Sequence, residues 1–178
     1  MSLAHALLTS LLELPSSGYD LARRFDKSIG HFWQATHQQI YRELGRMERA
    51  GWIRSEPDPE AGRTRKRSYS VLPAGRDELM RWAAESAPLP VLRDEFMVRL
   101  RADAAVGPLG LVPELERRRA LHVETLRAYH AIEARDFAPG AETTRRNRIH
   151  HLILKAGLPY EEGWIVWYDE AVRALEGN

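Results

Sequence analysis

Between Thr36 and Ala50 lies the segment that most restricts how this chain folds. Thr36 and Gln39 match the S/T-x-x-E/Q pattern, in which the hydroxyl accepts from the amide three residues on and the glutamine reaches back to the cap. Behind the cap, Ile40, Leu44 and Met47 recur at helical spacing, while Gln38, Arg42, Arg46 and Arg49 fall along the opposite side. Gly51 suits the left-handed position after a helix, and Trp52-Ile53 supplies apolar anchorage for a strand. The turn formers from Pro57 to Gly62 lead into Arg63-Thr64-Arg65-Lys66-Arg67 and a second alternating run that ends at Leu72. This spacing predicts a capped helix with an arginine-bearing outer face, followed by a two-stranded hairpin with a basic arm.

The flanking residues fit around that pair. Leu3, Ala6, Leu7, Leu11 and Leu14, widened by Leu8 and Leu12, predict a mostly buried helix that Pro15 stops. Ser17 can cap a second helix carrying Leu21, Ala22 and Phe25, with Asp20 as a shorter capping-box partner. Lys27 to Ala35 reads as a connection that drops Phe32 and Trp33 into the core. Pro73 can open a fourth helix at its first position, with Leu79, Met80, Trp82 and Ala83 as its apolar side. Helix, turn, capped helix, basic hairpin and closing helix is the order of a winged helix-turn-helix. Residues 1–86 are read as that domain, and Ala87-Pro88-Leu89-Pro90 as a short stiff linker.

From 91 to 178 the pattern is helical throughout. Phe96, Met97 and Leu100 mark a short helix, Gly107 to Gly110 interrupts, and a long helix runs from about Pro113 to Phe137. Pro139-Gly140 precedes a helix through Ile149, Leu152 and Ile153, and Gly157-Leu158-Pro159 is expected to separate it from a last one. That last helix carries Trp164, Trp167, Tyr168, Ala171 and Leu175 in a narrow stripe. Helices this thin and aromatic lack an evident core of their own, which points to burial against a second copy. Leu115, Leu126, Tyr129, Trp164, Trp167, Tyr168 and Leu175 are the expected dimer residues. The fold class expected is mainly α with a small β-hairpin: a winged helix-turn-helix followed by an all-α dimerisation domain.

Composition excludes more than it selects. Net charge is +1, from 26 basic and 25 acidic residues, so any signal for nucleic acid must be local. The absence of cysteine removes disulfides and thiolate metal sites, compatible with a reducing cytoplasm. His5, Thr9, Ser10 and Glu13 interrupt the apolar start, which fits neither a signal peptide nor a membrane span. A cytoplasmic protein without membrane contact is the expectation. No nucleophile elbow, phosphate loop or metalloprotease helix is present, so the chain is not read as an enzyme and no cofactor is assigned. His122 and His130, and the adjacent His150 and His151, lack the spacing of two ligands on one helical face, and no metal is assigned either.

The pattern at the capped helix suits double-stranded DNA. In a winged helix-turn-helix the N-terminal residues of the third helix enter the major groove, which places His37, Gln38 and Gln39 for base edges and Arg42 one turn further in. Glutamine can bond adenine in bidentate fashion, arginine can fork onto guanine, and the Tyr41 hydroxyl can donate to a phosphate. Arg63, Arg65, Lys66 and Arg67 repel one another unless phosphates or counterions neutralise them, which suits a wing on a phosphate backbone. Arg46 and Arg49 read instead as solvated helix surface, Arg46 pairing locally with Glu43. A protein-interaction module built on the same fold is the alternative, since fold alone does not set function.

Several motifs occur in order along the chain: Ser2-Leu3-Ala4-His5-Ala6-Leu7-Leu8, Pro15-Ser16-Ser17-Gly18-Tyr19-Asp20-Leu21, Phe32-Trp33 and Gln39-Ile40-Tyr41-Arg42-Glu43-Leu44. Glu48-Arg49-Ala50-Gly51-Trp52-Ile53, Arg65-Lys66-Arg67-Ser68-Tyr69 and Gly75-Arg76-Asp77-Glu78-Leu79 continue the series. Together they resemble the PadR family of transcriptional regulators. The helical remainder is similar to the longer C-terminal region of one branch of that family. The resemblance implies a dimeric, DNA-binding regulator, usually a repressor, whose C-terminal helices exchange contacts between subunits and whose operator affinity responds to a small ligand. It implies DNA contact at Tyr41 and its neighbours and a wing at the arginine-rich hairpin. Leu72-Pro73-Ala74-Gly75 departs from the family's usual leucine-threonine before the glycine, so a different cap is expected there. Trp33, Trp82, Trp164 and Trp167 are the candidates for a planar aromatic effector, weighed against the commoner role of such residues in cores and interfaces.

Overall fold

The computed structural model describes residues 3–26, 35–57, 66–87, 93–138 and 144–177. The chain divides into two compact units, Met1–Pro90 and Val91–Asn178. The expected linker at 88–90, the Lys27 to Gln34 connection with Phe32 and Trp33, the turn from Asp58 to Gly62 and Pro139-Gly140 lie outside the described residues.

In the first unit, α1 (Leu3–Glu13) stops two residues short of Pro15, whose ring disfavours a helical predecessor. Its C-terminal carbonyls do not stay orphaned, because the Arg24 guanidinium donates to the Ser10 and Leu14 carbonyl oxygens at 2.7 Å each. Two residues, Ser16–Ser17, form β1, and α2 (Gly18–Asp26) starts directly after them. The Asp20 amide donates to Ser17 Oγ at 3.1 Å, the expected cap, while the Ser17 hydroxyl donates to the Asp20 carboxylate at 2.7 Å instead of leaving it for the backbone.

The capping box of α3 (His37–Arg49) is present: the Gln39 amide donates to Thr36 Oγ1 at 3.2 Å and the Thr36 amide to Gln39 Oε1 at 2.8 Å. Ile40, Leu44 and Met47 are fully buried on its inner face, against Leu7, Leu8 and Leu11 of α1 and Leu21, Ala22 and Phe25 of α2. Gly51 has φ +70°, which lets the chain turn out of α3 without strain.

β2 (Ile53–Pro57) and β3 (Arg67–Val71) pair antiparallel from Ile53 opposite Val71 to Pro57 opposite Arg67. The expected two-stranded hairpin is a three-stranded sheet in the order β1-β3-β2, with Ser16 opposite Tyr69 and Ser17 opposite Ser68. Two adjacent serines show no alternation of polarity, and their pairing depends on the free edge of a distant strand. α4 (Pro73–Ala83) opens on Pro73 and has no side-chain cap at Leu72. Gly75 is buried, and a Cβ there would stand 2.2 Å from the Trp52 carbonyl oxygen, which accepts from the Leu72 amide at 2.9 Å. Buried His5 bonds Glu78 at 3.0 Å and stacks on the Trp82 ring at 4.5 Å. α4 is therefore seated through Gly75 and His5 rather than by the full apolar side expected: Leu79 and Trp82 are half-buried, and Met80 and Ala83 are exposed.

In the second unit, α5 (Glu95–Val106) is capped by Asp94, which accepts from the Phe96 amide at 2.8 Å. α6 (Val112–Asp136) and α7 (Arg145–Glu176) run antiparallel, held by Arg119–Asp169, His122–Glu161 and Glu133–His151. The break expected at Gly157-Leu158-Pro159 does not occur, and α7 passes through Pro159. Proline inside a helix costs about 3 kcal/mol. Contacts to α6 on both sides of it, at His151 and at Glu161, seat both halves on the same neighbour. Phe96, Leu115 and Tyr168 form the core, covered by Trp164, Trp167, Ala171 and Leu175. No helix among the described residues is long and apolar enough to cross a membrane.

Candidate nucleic-acid interface

The face of α3 opposite the core carries Gln38, Tyr41, Arg42 and Arg49, all exposed. Among the described residues Gln38 and Arg42 have no bonding partner, so both amide and guanidinium stand free for an external acceptor or donor. Tyr41 is 47% exposed, with one ring edge laid over Gly18. Two other residues expected at base edges are engaged within the chain. His37 bonds the Asp26 carboxylate at 2.9 Å, which ties the start of α3 to the end of α2. Gln39 spends its side-chain oxygen on the cap and keeps only its amide nitrogen to offer. Arg46 pairs with Glu43 and lies 5.6 Å from the Trp52 ring centre, as a helix-surface arginine would.

The basic arm is less bare than its sequence suggests. Lys66 Nζ lies 2.8 Å from the Asp20 carboxylate, and together with the Ser17 hydroxyl it holds that carboxyl below its usual range. Arg67 donates to both the hydroxyl and the carbonyl oxygen of Ser55 at 2.8 Å. Ser55 in turn donates its hydroxyl to Glu48 of α3 at 2.5 Å and its amide to the same oxygen at 3.1 Å. Burial, then the Glu48 carboxylate, pushes the Tyr69 phenol up. Glu48, Ser55 and Arg67 thus bind the far end of α3 to the hairpin. Arg63 and Arg65 lie outside the described residues. Sequence reasoning missed Gly18, Asp20 and Ser55 as parts of this site, because each acts on a partner far along the chain. Only the cap at Ser17 pointed toward that corner.

The remaining candidates fall elsewhere. Trp82 belongs to the first unit, in the His5 stack, and Trp164 and Trp167 to the second, edge to face at 5.4 Å. Trp33 is outside the described residues. Leu115, Tyr129 and Tyr168, expected at a dimer interface, are covered within the chain itself, Tyr129 by its packing on Gly157. Leu126, Trp164, Trp167 and Leu175 are half-buried. Exposed apolar surface on α6 and α7 is supplied instead by Leu121, Ile149, Leu152, Ile153, Tyr160 and Val166. His122 bonds buried Glu161 at 2.5 Å and His151 bonds Glu133 at 2.8 Å. No group of three or more metal-ligating side chains is placed to hold an ion among the described residues.

A capped helix with a free polar face, set in a three-helix core and flanked by a small sheet with a basic arm, defines a winged helix-turn-helix, here followed by a helical unit. Comparison with known proteins agrees. Residues 7–81 match the model of the transcriptional regulator PadR-like family, and residues 92–176 the virulence activator alpha C-terminal model. The probable transcriptional regulator Rv1176c of Mycobacterium tuberculosis is 40% identical over 99% of this chain and 98% of its own. The structure of the Vibrio cholerae virulence activator AphA superposes with a TM-score of 0.81 at 32% identity, covering 99% of each chain. Bacillus subtilis PadR, a negative transcriptional regulator 25% identical over 98% of this chain and 97% of its own, has been solved with operator DNA and with p-coumaric acid. The TM-scores are 0.82 at 23% identity over 97% of each chain and 0.74 at 25% over 98% of each. The chain belongs to the PadR-like family of transcriptional regulators, which are not enzymes.

Proposed function

We propose that this regulator is a cytoplasmic, sequence-specific repressor that binds a pseudo-palindromic operator as a homodimer and responds to a small aromatic effector. The observation that carries it is the pair Gln38 and Arg42, exposed and unpartnered among the described residues on the first turn and a half of a capped helix. Two such helices in a dimer reach successive major grooves about 34 Å apart, and the basic arms add phosphate contacts. Base reading belongs to Gln38 and Arg42, with His37 and Gln39 holding the helix in place. The apolar face of α6 and α7 supports pairing of two copies, and p-coumaric acid bound by Bacillus subtilis PadR supports an aromatic effector. The domains proposed are residues 1–86 for DNA and 91–178 for pairing and sensing.

Binding of the full chain to duplexes from its own promoter, against random duplex and across a salt series, tests the reading. Gln38→Ala is expected to lose about 1–3 kcal/mol of discrimination between sequences. Arg65→Ala is expected to weaken both duplexes alike and lower the salt slope by about one. Equal losses from both variants on both duplexes would sink this division of labour, and no duplex binding at low salt would favour the protein-interaction alternative.

A further inference from the structure

Gly18 is the first residue of α2, is buried, and is absent from the glycines with positive φ. Its backbone conformation is therefore open to any residue, and alanine is a better helix former by up to about 1 kcal/mol. What requires glycine here is space. A Cβ would stand 2.6 Å from Tyr41 Cε1, 3.3 Å from Cζ and 3.4 Å from Cδ1. The ring edge next to the hydroxyl-bearing carbon thus rests on the bare backbone at the start of α2. Ser17, immediately before, is fixed both by the cap with Asp20 and by the β1–β3 pairing. The platform under the ring is held on two sides.

We propose that Gly18 is a positioning residue for DNA contact: its missing side chain seats the Tyr41 ring so that the hydroxyl stands where a backbone phosphate meets α3. The inference rests on the DNA-binding reading above and adds to it a residue that does not itself touch DNA. Tyr41 remains about half exposed, and among the described residues its hydroxyl has no partner, so the seat fixes the ring without consuming the donor. A larger residue at position 18 would swing the ring, a flexible side chain, rather than break α2.

The test crosses two readouts on the full chain, affinity for an operator duplex and thermal stability, using Gly18→Ala, Tyr41→Phe, Tyr41→Ala and the two doubles. Gly18→Ala alone is expected to weaken operator binding about tenfold, the scale of one hydrogen bond to a charged group. The same change should cost no further affinity in either Tyr41 variant, because the hydroxyl it displaces is already gone. Stability should divide differently: Gly18→Ala should lower Tm in the parent and in Tyr41→Phe, where the ring remains, and not in Tyr41→Ala. An affinity loss of equal size in the parent and in Tyr41→Phe would overturn the proposal in favour of general damage to the fold. Parent-like operator binding by Gly18→Ala would also overturn it. Failure of the parent chain to bind any duplex would instead overturn the DNA-binding reading, and the assignment of Gly18 with it.

Discussion

The two units of this chain are held together in different ways. Among the described residues, the first buries eleven apolar side chains contributed by α1, α2, α3 and β2, and its polar groups sit at the edges as caps and seats. The second, among its described residues, buries Phe96, Leu115 and Tyr168 as a cluster, joins α6 to α7 by charged and histidine pairs, and leaves Leu152 at 68% exposed. The contrast teaches that a dense apolar core fixes α3 and leaves its outer side chains free of structural duty, while two long helices zipped by polar pairs leave apolar side chains uncovered. In the first unit stability and presentation come from separate residues; in the second they compete for the same helices.

The largest expected effect lies in the first core. Phe25→Ala should cost about 3–5 kcal/mol in denaturant titration, and the transition it moves should be independent of protein concentration. A concentration-dependent transition for that variant would erase the contrast, because it would make the first unit lean on a partner too. Next comes His122→Ala, which leaves the Glu161 carboxylate buried without its partner and should cost about 2 kcal/mol. His122→Leu with Glu161→Leu should cost less than the single change, since an apolar pair removes the stranded charge. A double variant as unstable as the single one would show that the pair holds α6 to α7 by more than mutual satisfaction.

On the proposed pairing, Leu152→Asp should convert a dimer to a monomer in sedimentation while the far-UV dichroism stays unchanged, because the residue is mostly exposed in its own chain. An unaltered sedimentation coefficient would move the pairing surface away from α7. Smaller still, Gly45→Ala should raise stability by about 0.5–1 kcal/mol, since a Cβ there meets nothing within 4 Å and helical glycine is costly. A loss of operator affinity in that more stable variant would mark the point where α3 lies tight against DNA.

The smallest effect is electrostatic. The Arg81 guanidinium first, and His5 second, hold the Glu78 carboxyl down at about 2. With the folded value below the ordinary 4.5, the contribution is present above that value and is lost as pH falls through about 2. Arg81→Ala should therefore flatten acid unfolding of the first unit between those limits. Glu114, held down at about 2 by Arg117 and then Arg118, makes the same test available in the second unit.

Local chemistry was readable from sequence and long-range pairing was not. The Thr36–Gln39 box, the Ile40-Leu44-Met47 stripe and the turn at Gly51 each rest on residues whose successive members lie within four positions, and the structure has them as expected. β1 was missed because two serines announce nothing until β3 offers an edge. Lys66 and Arg67 looked like uncompensated cations because Asp20 and Ser55, their acceptors, lie on other elements. The aromatic stripe from Trp164 to Leu175 suggests surface for a second copy, and part of it is met by Phe96 and Leu115 of the same chain. Helical spacing tells which residues share a side and not what meets that side.

Pro159 carries a consequence for how α7 opens. The helix is 32 residues long, about 48 Å, and a proline at that position leaves the Lys155 carbonyl without its intrahelical donor. The ladder of hydrogen bonds is interrupted at one rung, with His151–Glu133 securing one stretch and Glu161–His122 the other. Amide exchange should accordingly resolve α7 into two cooperative segments with separate opening free energies, meeting near Pro159. One helix would then behave as two reporters in time, the terminal stretch following contacts around Tyr168 and the earlier one following those around His151.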